Sequence, residues 1–274
     1  MLRAVAVIPA RFGSTRFPGK PLAAKTGKPL IQHVCEQTAK CASIERIIVA
    51  TDDARILDAV RGFGGHAVMT REDHPNGTSR IAEVAAGLDC DLIVNVQGDE
   101  PSIEPDLIER AVAALRNRPD CPMATVASPF ADGEDPSDPN VVKAVVSLQG
   151  TALYFSRSLV PFWRDGVREQ NADPSARPRA APLKHIGLYV YRRAFLATFV
   201  GLTPTPLELT EQLEQLRVLE HGYSIAVAIG RSTFHGIDTP EQYEAWVDRY
   251  RREQPSGSQG LRPSASMRGP GAVR

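Results

Sequence analysis

The chain has 274 residues, 42% of them apolar and 23% charged, which is enough for a sizeable core and excludes wholesale disorder. Thirty-two basic residues balance 32 acidic ones, so a bulk nucleic-acid binder held by excess positive charge is excluded as well. The balance is uneven, because residues 251–274 carry five Arg and one Glu, a net of +4, and the remainder carries −4. No apolar run approaches the roughly 20 residues that span a bilayer, so no membrane insertion is expected. The stretch Leu2–Pro9 is too short for a signal-peptide core and reads as a buried first strand. Cys35, Cys41, Cys90 and Cys121 form no C-x-x-C pair and no zinc spacing, which fits free thiols in a reducing cytoplasm.

In chain order, strands are predicted at Ala4–Ile8, Arg46–Ala50, His66–Met69, Asp91–Val96 and Met123–Ala127. Helices are predicted between them at Leu30–Cys41, Ala54–Phe63, Thr78–Leu88 and Pro105–Arg116. Strands without clean alternation, separated by helices, predict a mostly parallel sheet with helices on both faces. Functional loops then belong at the carboxyl ends of the strands. The second half differs. Val141–Ser147 and Thr151–Phe155 flank a hairpin signal at Leu148-Gln149-Gly150, and Leu183–Tyr191 is a further strand. Gly166–Pro182, polar and proline-rich, predicts a mobile loop. A helix is expected at Pro206–His221, with Leu209, Leu213, Leu216 and Leu219 on its buried face. A strand at Ser224–Ile229 and a helix at Pro240–Arg252 follow, and 253–274 reads as a disordered tail. That tail admits a tether to an anionic surface or a plain extension, and terminus statistics favour the extension.

Chemistry concentrates first in Ile8-Pro9-Ala10-Arg11-Phe12-Gly13-Ser14-Thr15-Arg16-Phe17-Pro18-Gly19-Lys20-Pro21-Leu22, directly after the first strand. Glycines and hydroxyl residues bring backbone amides close to an anion, and Arg11, Arg16 and Lys20 neutralise it, as in a polyphosphate cradle. It is neither a Walker loop nor G-x-G-x-x-G, so a nicotinamide dehydrogenase is excluded. A second segment, Gln97-Gly98-Asp99-Glu100-Pro101, places carboxylates at a strand end. Facing a phosphate loop they suggest Mg²⁺, although Asp and Gly equally favour a cap or turn. Asp238-Thr239-Pro240 reads locally as a helix start.

The IPARFGSTRFPGKPL and QGDEP segments resemble those of the CMP-Kdo synthetase family, the 3-deoxy-manno-octulosonate cytidylyltransferases. The likeness runs over about residues 3–250. It implies a Rossmann-like nucleotidyltransferase fold in a single domain over 1–252. A nucleotide-binding part would occupy about 1–130, and a smaller mixed β subregion at about 131–235 would serve sugar binding and dimerisation. It implies CTP and Kdo as substrates, Mg²⁺ as cofactor, a homodimer built partly by 141–191, and a cytoplasmic role in lipopolysaccharide biosynthesis.

Carried residue by residue, the resemblance makes Arg11, Lys20, Asp99 and Asp238 catalytic, with Asp99 and Asp238 as metal ligands. Pro9, Ala10, Arg11, Gly13, Ser14, Lys20, Arg71, Gly77 and Thr78 would bind the nucleotide. Arg16, Gln97, Arg157, His185, Tyr189, Glu214 and Gln215 would bind the sugar acid. Ser79 departs from the acidic residue the family usually carries before Arg80, and Val190 and Leu209-Thr210 depart nearby. His74 reads as structural. The implied reaction is in-line attack of the sugar anomeric hydroxyl on the α-phosphate, with one Mg²⁺ at the attacked phosphate and another on the β- and γ-phosphates. The alternatives are the same chemistry on 8-amino-Kdo or sialic acid, and a non-catalytic CTP-binding regulator.

Overall fold

Alternate residues of the first strand, β1 (Ala4–Ala10), enter two different cores. Ala4, Ala6, Ile8 and Ala10 pack on one face, and Val5 and Val7 on the other. Both faces are covered, so the strand needs no polar alternation. The computed structural model describes residues 2–13, 15–162, 180–232 and 236–253. Residues 166–179 of the loop predicted at 166–182, and 254–274 of the tail predicted at 253–274, lie outside them.

The first half follows the predicted order. After β1 come α1 (Leu30–Thr38), β2 (Ile44–Thr51), α2 (Ala54–Gly62), β3 (Ala67–Met69), α3 (Gly77–Ala86), β4 (Leu92–Asn95), α4 (Pro105–Arg116) and β5 (Met123–Pro129). The second half gives the hairpin β6 (Lys143–Val146) and β7 (Ala152–Ser156), then β8 (Leu183–Arg192), α5 (Arg193–Gly201), α6 (Pro206–Glu211), α7 (Gln215–Glu220), β9 (Ile225–Ile229) and α8 (Pro240–Glu253). The sheet runs β3-β2-β1-β4-β8-β5-β9, with the hairpin joined to β8. Six strands of that path point one way. Only β8 opposes them, antiparallel to both β4 and β5. Helices α1, α2 and α4 cover one face, and α3, α5 and α7 cover the other. α8 packs separately, with Tyr243, Trp246 and Val247 against Leu30 and Ile237.

Two expectations change. The helix expected at Pro206–His221 is two helices, because Gln212 adopts left-handed backbone (φ 53°, ψ 49°) and ends the first. The break turns the apolar stripe. Leu213 and Leu216 are buried, but Leu209 is 59% exposed instead of joining the buried face. A salt bridge between Glu208 on α6 and Arg217 on α7 holds the pair together. Helix α5, which was not predicted, follows β8 without a loop and buries Phe195, Leu196 and Phe199. All four cysteines are free, as expected. Among the described residues no helix is long and apolar enough to cross a membrane.

Candidate active site

The chain leaves β1 at Ala10, loops outward and is turned back by Gly19, whose φ is +71°. The Gly19 amide donates to the Phe12 carbonyl at 3.0 Å. A Cβ at Gly19 would lie 3.0 Å from the Phe12 ring, and the Arg55 guanidinium covers that ring at 3.4 Å. The turn delivers Lys20 into the cleft, 9% exposed. Its Nζ donates to Asp99 Oδ2 at 2.7 Å and to the Ile237 carbonyl at 2.5 Å, and lies 3.7 Å from Asp238 Oδ1. Arg16 meets the same Asp238 oxygen at 3.1 Å. Four groups singled out in the sequence therefore converge from residues 16–20, 99 and 238. Arg11 and Gly13 lie exposed beyond the strand, and Ser14 is outside the described residues.

Close backbone approach fixes the acids. A Cβ on Gly98 would sit 2.7 Å from the Pro9 carbonyl oxygen, so only glycine lets the β4 exit lie against the end of β1. The Ile237 amide donates to the Asp99 carbonyl at 2.9 Å and ties the two acidic segments together. Asp238 is not spent on capping α8. Gln242 Oε1 accepts from the Asp238 and Thr239 amides, and Thr239 Oγ1 accepts from the Gln242 amide. The Asp238 carboxylate is left facing Lys20 and Arg16.

This donor set fits a hard divalent cation in its chemistry. Two carboxylates already meet one common cation, the Lys20 ammonium, and no soft ligand is present. Among the described residues no group of three or more His, Cys, Asp or Glu could hold a metal by itself. A magnesium ion here would take its remaining ligands from phosphate oxygens and water, which is its usual habit.

The loop before α3 closes beside the end of β1. A Cβ on Gly77 would be 3.3 Å from Pro9 Cγ. Asn76 caps the helix, its Oδ1 accepting from the Ser79 amide at 2.9 Å. Arg71 is exposed, near Asp73 and Glu83 at 3.5 and 3.4 Å. His74 bridges Ser79 and Glu83, a structural role, so Ser79 is used for internal support.

Next to the acid pair lies a cavity of about 260 Å³, lined among others by Glu100, His185, Gly187, Tyr189 and Gln215. His185, Gly187 and Tyr189 are alternate residues of β8 and share its cleft face. His185 Nε2 shares a 2.8 Å hydrogen bond with Thr125 Oγ1, and burial pushes its pKa down to about 3, so the ring is neutral. Burial likewise raises the Tyr189 phenol, which donates to Gln215 Oε1 at 3.2 Å. Gln215 Nε2 is buried and finds no protein partner among the described residues. Gln97 Nε2 donates to the Gly187 carbonyl at 3.2 Å. Burial, then the neighbouring Asp99 and Glu104 carboxylates, pushes Glu100 up to about 8.

Two residues assigned to the sugar also make hydrogen bonds within the protein. The Arg157 guanidinium donates to the main-chain carbonyls of Glu211 at 2.7 Å and Pro139 at 3.1 Å. Glu214 accepts from Asn76 Nδ2 at 2.8 Å and from Thr78 Oγ1 at 2.7 Å, across to the α3 loop. Sequence reasoning missed Glu100 as a member of the pocket, although QGDEP contains it. It also missed Thr125, whose role depends on strand pairing alone and leaves no local signal.

The chain matches the family described as cytidylyltransferase over residues 5–225. It is 55% identical over 238 residues to 3-deoxy-manno-octulosonate cytidylyltransferase of Syntrophotalea carbinolica, covering 86% of this chain and 94% of that one. The namesake in Geobacter sulfurreducens is 51% identical, with 89% and 98% covered. Among solved structures it resembles a CMP:2-keto-3-deoxy-manno-octonic acid synthetase complexed with CTP, with a TM-score of 0.83 at 42% identity, covering 92% of this chain and 100% of that one. A 4-diphosphocytidyl-2C-methyl-D-erythritol synthase from Anaerococcus prevotii, 13% identical at a TM-score of 0.56, shares the fold, with 92% and 99% covered. Profile, identity and superposition agree with the loop and acid segments, and the chain belongs to the cytidylyltransferase family, among its 3-deoxy-manno-octulosonate cytidylyltransferases.

Proposed function

We propose that the protein activates 3-deoxy-manno-octulosonate (Kdo) with CTP, giving CMP-Kdo and pyrophosphate. The observation that carries this reading is the Lys20 ammonium held between Asp99 and Asp238 at the ends of β1 and β4, beside a polar pocket on β8. The anomeric oxygen of the sugar attacks the α-phosphorus and loses its proton to solvent. The bond to the bridging oxygen of the departing pyrophosphate breaks in line. Lys20 and Arg11 neutralise the charge that develops on the α-phosphate and leaving group. Pro9, Ala10, Gly13, Ser14, Arg71, Gly77 and Thr78 position the nucleotide. On the sugar side, neutral His185, Tyr189, Gln97 and Gln215 offer donors and acceptors to hydroxyls, Arg157 supports that wall, and Arg16 faces the sugar carboxylate. Mg²⁺ held by Asp99 and Asp238 supplies Lewis-acid polarisation of the α-phosphate when bound.

The product serves lipopolysaccharide biosynthesis in the cytoplasm. The protein acts as a homodimer through the hairpin region, where Leu148, Leu153 and Phe162 stand exposed. The test is pyrophosphate release with CTP and Mg²⁺, comparing Kdo, 8-amino-Kdo and sialic acid. Turnover with Kdo alone is expected. Turnover with another sugar only overturns the pocket assignment, and silence with all three in protein that binds CTP overturns catalysis.

A further inference from the structure

The connection between β5 and β6, residues 130–142, forms no helix or strand of its own, yet its end builds one wall of the β8 cavity. Asn140, Val141 and Val142 line that cavity beside Lys184 and His185. The connection carries four carboxylates, Asp132, Glu134, Asp135 and Asp138, and no basic residue. Two lysines reach into it from neighbouring strands. Lys143 of β6 and Lys184 of β8 are paired in register, and both are fully buried. Like charges at paired positions repel, and burial adds to the cost, so each lysine needs partners. Lys143 Nζ donates to the main-chain carbonyls of Asp138 at 3.0 Å and Val141 at 2.7 Å, and to that of Arg157. Three acceptors match the three donors of a lysine ammonium. Lys184 Nζ donates to Glu134 Oε1 at 2.6 Å.

We propose that Lys143, together with Lys184, is a positioning residue for the sugar: the two hold residues 134–142 in place as one wall of its pocket. This rests on the reading of the β8 cavity as the sugar site. Lys143 lies behind the wall and acts through main-chain carbonyls. The same Nζ fixes the chain at Arg157, whose guanidinium donates back to the Pro139 carbonyl at 3.1 Å. The wall and the end of β7 are therefore latched to each other in both directions. The wall then runs directly into the sheet, because the His185 amide donates to the Val142 carbonyl at 2.8 Å. The residues assigned to the nucleotide belong to β1, the loop after it and the start of α3, so movement of this wall falls on the sugar side.

The experiment is steady-state kinetics in Kdo on the full-length protein, with titration of CTP and thermal melting beside it. Lys143→Met keeps the length of the side chain and removes its donors. Its KM for Kdo at saturating CTP should rise about tenfold, the scale of one lost hydrogen bond to a charged group, while kcat falls less than about threefold. Its CTP dissociation constant should stay within about twofold, a change too small to count as a lost hydrogen bond. E134Q weakens the second anchor at a partly exposed residue and should raise the same KM about threefold. If Lys143→Met fails to fold, E134Q decides alone. An unchanged KM for Kdo in the folded variant overturns the proposal, because a lysine that only stabilises the fold lowers the melting temperature and moves no binding constant. A CTP dissociation constant raised as much as the KM for Kdo overturns it too, since the wall would then not be specific to the sugar. Wild-type protein that binds CTP but turns over no Kdo overturns the functional reading and this inference together, whereas wild type that uses Kdo, with an unchanged KM in both variants, overturns the inference only.

Discussion

Lys20 and His185 stand on two sides of one cleft and are handled by the fold in different ways. Lys20 lies on a loop at the end of a parallel strand and meets the carboxylates of Asp99 and Asp238. His185 lies within the antiparallel strand β8, packed against the Phe155 ring at 4.9 Å, and burial keeps it neutral. On the reading proposed above, the nucleotide side collects charges at strand ends, where side chains and backbone amides can face an anion. The proposed sugar side sets His185 and Tyr189 at alternate positions of a strand, where a low local dielectric strengthens each hydrogen bond. One side is suited to neutralising a triphosphate, the other to sorting hydroxyls.

The largest effect that sharpens this contrast is Asp99→Asn. It should fold normally and lose about 10²–10³ in kcat, the scale of one lost electrostatic group at a transition state. A kcat within threefold of wild type would break the assignment of charge stabilisation to this side. Gly98→Ala should come next. Its Cβ would meet the Pro9 carbonyl oxygen at 2.7 Å, so chemical denaturation should show a loss of about 2 kcal/mol. An unchanged denaturation midpoint would mean that the β1 and β4 ends are free to separate.

Arg157→Ala tests the other side. It frees the carbonyls of Pro139, Glu211 and Gln212. The KM for Kdo should rise about tenfold while CTP binding holds, as expected for lost charge-assisted hydrogen bonds. Weakened CTP binding would show that the two sides are not separable at this residue. The pH dependence of stability separates them further. The His185 pKa falls from an ordinary 6.5 to about 3 on folding. Its contribution is therefore complete above pH 6.5 and is lost as pH falls toward 3, by up to about 1.4 kcal/mol per unit. Melting wild type and His185→Asn side by side from pH 7 to 4 should show the steeper fall in wild type, and equal slopes would mean that His185 is protonated in the fold. The smallest effect should be Leu209→Ser on the exposed α6, within about 0.5 kcal/mol of wild type by denaturation.

The sequence by itself determined the parallel half of the sheet and the phosphate loop. Each strand-loop-helix unit there is local, so hydrophobic runs, glycines and charges appear in the order in which they act. It also placed Asp99 and Asp238 among the chemistry-bearing residues through the family resemblance, although Asp238 taken locally reads as a cap. Only the tertiary structure showed that Thr239 and Gln242 satisfy the start of α8 and leave the Asp238 carboxylate for Lys20. Only it inserted β8 against the direction of its neighbours, which brings His185 and Tyr189 to one face beside Glu100. Only it broke the helix at Gln212 and turned Glu214 toward Asn76, 138 residues away. Contacts of that reach depend on strand pairing and on backbone states open to many residues. Periodicity and composition record neither, because both describe what a segment does alone.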